Sequence, residues 1–237
     1  MARYLILRLA SPLVAFGGET IDNFGVIRDF PALSMITGLI ANALGWDRAE
    51  TERHDRLQER LRMGTRLEQP GSRLTDFQTA QLGAGDKGWT TSGMPEERRG
   101  GPASYESPHL RYRDYHADLL AQVVLRLDAA EEFPTLIEIA AALDRPQRPL
   151  FIGRKPCLPT GRLMNGWTEA DSVLSALQSL PMPPGAQALR LQWPDGEGEL
   201  PHDRVSDLCD ERNWRSGLHG GWRPVREGVL HTTEAAQ

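Results

Sequence analysis

Cysteine is almost absent: Cys157 and Cys209 are the only two in 237 residues. Two thiols cannot build a disulfide framework, and they stand in no CxxC spacing and beside no His pattern of the kind that holds zinc. They read as reduced thiols of a cytoplasmic protein. Long hydrophobic runs are missing too. The longest, "YLILRLASPLVAF", is broken by Arg8, Ser11 and Pro12 and falls far short of a membrane span. The start, "MARYLILRL", lacks the h-region and small-residue cleavage site of a signal peptide, so no membrane association is expected. Enzyme signatures are equally scarce: there is no GxSxG, no HExxH, no P-loop and no GxGxxG after a strand. No cofactor and no metal are expected.

One absence is local. From Arg145 to Arg162 there is not one Asp or Glu, although the chain as a whole carries a formal net charge of -5. That segment holds Arg145, Arg148, Arg154, Lys155 and Arg162. The reverse holds in "DGEGELPHDRVSDLCDE", Asp195 to Glu211, with seven acids against Arg204 alone. A free-standing nucleic-acid binder is usually basic overall. An acidic chain that divides its charge by region fits one that works inside an assembly.

What is present suffices for a globular core, with 40% apolar and 25% charged residues. "RYLILRL" reads as a buried strand. A Gly-rich loop, "FGGETIDNFGVIRDF", follows. "PALSMITGLIANALG" has helical spacing, with Pro31 in front and Gly45 behind. "ERHDRLQERL" is a short charged helix, and "RMGTRLEQPGSRLTDFQTAQ" reads as two strands joined as a hairpin by "QPGS". Gly83 to Leu110 is crowded with Gly, Pro and Ser and has no hydrophobic period; such a long connection is functional or disordered. In "YRDYHADLLAQVVLRL", Ala117, Leu119, Ala121, Val123, Leu125 and Leu127 share a face at period two, which predicts a long strand. "FPTLIEIAAAL" reads as a helix and "PLFIG" as a short strand. If the long loop and its flanking strand elaborate one hairpin, this approximates βαββαβ, the ferredoxin-like plan. Beyond it, "TEADSVLSALQSL" reads as a helix with Thr168 as N-cap, and "ALRLQW" and "VREGVLHT" read as strands. The expected division is 1–156 and 157–237.

Three constellations carry chemical interest. "IGRKPC" joins a glycine, which permits close backbone approach, to Arg and Lys, which match phosphate. By composition alone it reads as a solvated turn beside a core strand. In "HLRYRDYH", Arg111, Arg113 and Tyr115 share one strand face and Leu110, Tyr112, Asp114 and His116 the other. Arg beside aromatic rings stacks on splayed RNA bases and pairs with phosphates, or simply covers Tyr rings at a sheet edge. The long loop carries Lys87, Trp89, Arg98, Arg99 and Tyr105. Of six scattered His, only His109 and His116 lie near Arg and Tyr, where they could act as acid and base in RNA cleavage.

Four segments in order, "YLILRLASPLVAFG", "FPALSMITGLIANALGW", "YRDYHAD" and "PLFIGRKPCLP", resemble the CasD-type subunits of type I-E CRISPR Cascade, within the RAMP superfamily. The resemblance covers about Arg3 to Cys157. It implies a ferredoxin-like (RRM/RAMP) N-terminal domain with a thumb at about 83–110, and a small β-rich C-terminal domain, together an α+β fold. It implies a non-catalytic subunit that binds the 5′ handle of the CRISPR RNA and caps the backbone filament beside the large PAM-recognising subunit, meeting target DNA only through the complex. Arg113 would match a handle-contacting Arg, Gly153, Arg154 and Lys155 the family's Gly-Arg segment, and Ser34 a recurring Ser whose place near a helix N-terminus suits phosphate. The candidate RNA contacts are Arg28, Ser34, Lys87, Trp89, Arg111, Arg113, Tyr115, Gly153, Arg154, Lys155 and Arg162. The rival reading is an RNA-processing endonuclease of the same superfamily, with Tyr112, His116 and Lys155 converging on a scissile phosphate.

Overall fold

The computed structural model describes residues 1–21, 23–81, 88–89, 95–96 and 108–231. It is a mixed α+β chain in which one large sheet is joined by few helices. The two longest strands run through its middle: β1 (Ala2–Val14) and β8 (His109–Leu127), paired antiparallel from Leu5↔Leu125 to Val14↔His116. β1 reads as a continuous apolar run because both of its faces are covered, as expected of a strand in the interior of a layered fold. Leu5, Leu7 and Leu9 face the main core, while Tyr4 and Ile6 face a second cluster on the other side. The period-two reading of β8 holds: Leu119, Ala121, Val123, Leu125 and Leu127 all enter the main core, and Val124 enters the second.

Helices α1 (Leu33–Ala43), α2 (Thr51–Arg60) and α3 (Leu136–Asp144) lie after the strands that the sequence pattern assigns them to. α3 starts with a capping box between Thr135 and Glu138. Strand β4 (Leu61–Gln69) lies on β8, and β9 (Met164–Ala170) on the free side of β1, giving the local order β4-β8-β1-β9 with every neighbour antiparallel. β10 (Ala188–Pro194) extends this sheet from β4 at Leu191↔Arg66, and β12 (Arg223–His231) and β11 (Arg204–Leu208) follow.

Several local expectations are corrected. "PLFIG" is not a strand: its backbone runs irregularly past β1, and the place beside β1 is taken by β9 instead. Thr168 is therefore a strand residue rather than an N-cap. The helix after it is the shorter α4 (Val173–Gln178), capped by Ser172 and Ser175. The Gly-rich stretch after β1 is not simply a loop, since β2 (Gly17–Ile21) and β3 (Phe24–Ile27) pair within it. The two strands around "QPGS" exist but form no hairpin. β5 (Ser72–Ala80) follows β4 end to end, so that the 19 residues of β8 serve both, Gln69↔Leu120 handing over to Ser72↔Ala117. The hand-over needs glycine: Gly71 has φ 68°, and a Cβ there would lie 2.2 Å from the Ala117 carbonyl oxygen. Opposite it, Asp118 also takes a positive φ, 57°.

Two buried arginines clamp the layers. Arg60, 1% exposed, donates to five carbonyls of the turn after β8, from Asp128 to Pro134, at 2.6–3.2 Å. Arg66 donates to the carbonyls of Leu177, Leu180 and Pro181 at the end of α4 and to Glu68. Cations suit those carbonyls, which lie at the negative end of a helix. Most of the segment Gly83 to Leu110 lies outside the described residues; within it the short strands β6 (Gly88–Trp89) and β7 (Pro95–Glu96) pair with each other. Among the described residues no helix is long and apolar enough to cross a membrane.

Candidate nucleic-acid interface

The amino-terminal half of β8 leaves the main core and is flanked by β5 on one side and β3 on the other, β3 running parallel to it. Alternation then sorts this three-stranded arm into two faces. On one face Phe24, Tyr112 and Phe77 stand in register across the strands. Phe24 and Tyr112 stack with centroids 5.0 Å apart at 12°, and Phe77 follows Tyr112 at 5.2 Å. Phe24 and Phe77 remain 54% and 53% exposed.

The opposite face carries arginine. Arg113 lies between Gly25 and Asp76 and donates from Nε to Gln78 at 3.2 Å. Arg111 donates to Asn23 at 2.6 Å and to the Leu110 carbonyl at 2.9 Å. Arg154 reaches in from the turn after α3, donating to the carbonyls of Asp114 and Gly25 at 2.7 Å each, with its guanidinium 4.8 Å from the centre of the Tyr115 ring. Gly25 makes this convergence possible. A Cβ there would meet Arg154 Nη2 at 2.8 Å and Arg113 Nη1 at 3.5 Å. Every hydrogen-bond partner of the three guanidiniums is a neutral oxygen, so none of their charge is cancelled by an ion pair among the described residues. The carboxylate across from Arg113, that of Asp76, accepts instead from Gln78 at 2.6 Å. Elsewhere arginine is routinely paired, as in Arg73–Asp29, Arg204–Glu227 and Arg226 with Asp195, Glu199 and Asp203.

The sequence-derived candidates separate against this geometry. Arg111, Arg113 and Arg154 meet on the arm, and Lys155 is exposed beside Arg154. Arg28 borders them: its carbonyl accepts from His116 Nε2 at 2.8 Å and its Nη2 donates to the Cys209 carbonyl at 2.8 Å. Tyr115 is buried under Arg154, so it supports that side chain and offers no ring for stacking. Gly153 does allow a close approach, but to the chain itself: with φ 88°, its Cβ would fall 1.7 Å from the Ala15 carbonyl oxygen. Ser34 is buried, and the α1 N-terminus is already held by an anion. Leu33 N–H donates to the Asp210 carboxylate at 2.8 Å and Ser34 N–H to the Asp210 carbonyl at 3.1 Å, which leaves no opening there for phosphate.

Arg162 lies apart, at the end of α3. Its guanidinium grips Asp144 through both carboxylate oxygens, Nε at 2.6 Å, and that hydrogen bond holds the Asp144 carboxyl below the usual range. Arg148 likewise pairs with Asp47 at 2.7 Å. The acid-free run thus finds acids in space that it lacks in sequence. Lys87 lies outside the described residues, and Trp89 is described only through its backbone pairing. His116 is buried against Phe16 with Nε2 on the Arg28 carbonyl, and Tyr112 is held between two phenyl rings; the rival trio of Tyr112, His116 and Lys155 presents no accessible imidazole.

Sequence reasoning missed Asn23, Phe24, Gly25, Phe77 and Gln78. No local signal marks them, because each joins the site only through the register of β3 and β5 against β8.

The class is an α+β chain with one large sheet and few helices, carrying an arm of arginines that have no ion pair among the described residues. The particular family follows from comparison. The family model of the CRISPR-associated protein (Cas_Cas5) group matches residues 4–226, and the chain belongs to that family. It is similar to the CRISPR system Cascade subunit CasD of Escherichia coli (strain K12), 30% identical over 177 residues, covering 75% of this chain and 76% of that protein. Its fold is similar to a chain of a CRISPR RNA-guided surveillance complex, TM-score 0.66 at 23% identity over 97% of this chain and 90% of that one. A crystal structure of a Cas protein is similar with TM-score 0.60 at 25% identity, over 96% and 95% of the two chains.

Proposed function

We propose that this chain is a non-catalytic, RNA-binding subunit of a Cascade-type CRISPR surveillance complex working in the cytoplasm, and that it holds the 5′ handle of the CRISPR RNA on the β3–β8–β5 arm. The single observation that carries this is the group of Arg111, Arg113 and Arg154, three guanidiniums on one face of the arm without an ion pair among the described residues. Charge left unpaired by the chain is suited to phosphate, and planar guanidinium forks match it better than a point charge. The exposed rings on the other face suit unstacked bases.

The order β4-β8-β1-β9, all antiparallel, with helices after its first and third strands in chain order, supports a ferredoxin-like core that runs on to Ala170. The β5–β8 pair supports a thumb at about 83–110, most of which lies outside the described residues. A filament-capping place beside a large PAM-recognising subunit, with backbone subunits as neighbours, is what the resemblance to CasD-type subunits implies. The buried, occupied His116 speaks against RNA cleavage by this chain.

The test is to co-express the complex with its RNA, with and without this chain, and to map nuclease protection. Loss of protection confined to the 5′ handle is expected. An intact, handle-protected complex formed without the chain would overturn the reading.

A further inference from the structure

A second group of arginines, without an ion pair among the described residues, lies over α1 and α2. Residues 209–222 form a strap that crosses these helices. Gln58 exchanges two hydrogen bonds with the Arg212 backbone, each 3.1 Å, and Trp214 packs its ring 4.5 Å from that of His54. The strap folds into a small hairpin through the Arg212↔His219 bridge, with Gly217 N–H on the Asn213 carbonyl at 2.8 Å. At its turn Gly217 takes φ 74°, and a Cβ there would lie 3.1 Å from Arg212 Nη2 and 3.1 Å from Arg48 Nη2. Two guanidiniums therefore border one small space that only glycine keeps clear.

Neither guanidinium has an acidic partner among the described residues, and Arg212 Nε is buried with no hydrogen-bond acceptor. The carboxylates of the adjoining segment are otherwise engaged. Asp47 pairs with Arg148, Glu50 with Arg53 and Glu52 with Arg215, and Asp55 accepts from Trp214 N–H. Burial, and then the charge of Arg48, lower the Arg212 pKa. A buried donor without an acceptor and two like charges held together both call for an anion. The Trp214 ring, 5.3 Å beneath the Arg212 guanidinium, holds that fork in place.

We propose that Arg48, Arg212 and the glycine turn at Gly217 form a phosphate-binding notch, separate from the arginines of the arm. The chemistry is that of a phosphate oxygen pair taking one guanidinium on each side. Its source is either a nucleic-acid phosphodiester or a free phosphate; only the first rests on the RNA-binding reading above.

The experiment melts the full-length chain in inorganic phosphate and in chloride at matched ionic strength, for wild type, Arg48→Gln and Arg113→Ala. Arg48 is exposed, so its replacement leaves the fold intact. Arg48→Gln is expected to weaken the phosphate-specific gain in melting temperature, with about tenfold lower apparent affinity, while Arg113→Ala keeps the notch's share of that gain. No gain in wild type, as expected of a pocket for a partner protein's carboxylate, or an equal gain in Arg48→Gln, overturns the notch. Binding of single-stranded RNA across a salt series then separates the sources. A log–log slope reduced by about one in Arg48→Gln assigns the notch to a phosphodiester, and an unchanged slope assigns it to free phosphate. A wild-type chain that binds no RNA defeats the proposed function, while the melting series still decides the notch.

Discussion

Asp210 holds Arg223 through both carboxylate oxygens, at 2.7 and 2.8 Å, and is itself wholly buried. The same carboxylate accepts from Leu33 N–H, 177 positions away, so one side chain joins the first turn of α1 to the start of β12. Removing one member of a buried pair leaves the other charged and unpaired, which costs about 3–5 kcal/mol. Asp210→Ala is expected to lower the free energy of unfolding in urea by an amount of that order, seen as a lower midpoint. A midpoint unchanged from wild type would show that the strap adds nothing to the stability of α1.

Asp29 gives a pH dependence. It bridges Arg73 of β5, at 3.1 Å, and Arg190 of β10, at 3.0 Å. Burial alone would raise its carboxyl, but the hydrogen bonds from Arg190 and Arg73 outweigh it and hold the pKa below the usual value. A depressed folded pKa contributes stability that is present above the unfolded value, about 3.9, and is lost as pH falls through the folded one. Wild type should therefore be more stable than Asp29→Asn at pH 7, and the gap should close in strongly acid buffer. The pair is part-exposed, so the gap is small, within about 1 kcal/mol. A gap that stays constant from pH 7 down to pH 2 would remove Asp29 as its origin.

The sequence makes the core legible and the site only half so. Strands β1 and β8 and helix α1 declare themselves through periodicity, since their apolar residues are held by burial that repeats along the chain. Arg111 and Arg113 are visible as a strand face for the same reason. Pairing between distant segments leaves no such trace. Nothing near Thr168 shows that it belongs beside β1, and nothing near "QPGS" shows that two strands lie end to end on one long partner. Charge misleads most. The acid-free run of 145–162 is matched by Asp47 and Asp144, and the acids of 195–211 are largely engaged, Glu197 by Arg126 and three others by Arg226. The charge on the arm that has no ion pair among the described residues follows from the register of β3, which brings a glycine opposite Arg113.

The aromatic face of the arm should contribute to RNA binding without a salt signature. Stacking of a base on an exposed ring is worth about 1–3 kcal/mol by alanine replacement. Phe77→Ala and Phe24→Ala should each weaken binding of single-stranded RNA within that range, with the slope against salt unchanged. Leu replacement should not restore it, because bulk without a π-face does not stack. Full recovery in Phe77→Leu would recast the rings as packing for Tyr112.

Arg113 and Arg154 should behave differently from one another although both face the space over Gly25. Arg113 spends one donor on Gln78 and leaves both Nη groups without a partner among the described residues, so Arg113→Ala removes a charge-assisted contact from the RNA and little from the fold. Its effect should be about 1.5–3 kcal/mol, roughly tenfold or more in affinity, and should shrink as salt rises if the contact is to phosphate. Lys should rescue it only in part, having no planar fork. Arg154 is different, since its two Nη groups tie the Gly25 carbonyl of β3 to the Asp114 carbonyl of β8. Arg154→Ala should lower stability as well as affinity. Arg162, with its fork filled by Asp144, is the internal control and its removal should leave RNA affinity unaltered. Affinity at two salt concentrations, with a melting curve for each variant, separates the three. If Arg113→Ala binds as wild type does while Arg162→Ala binds worse, the RNA path runs along α3 and not along the arm.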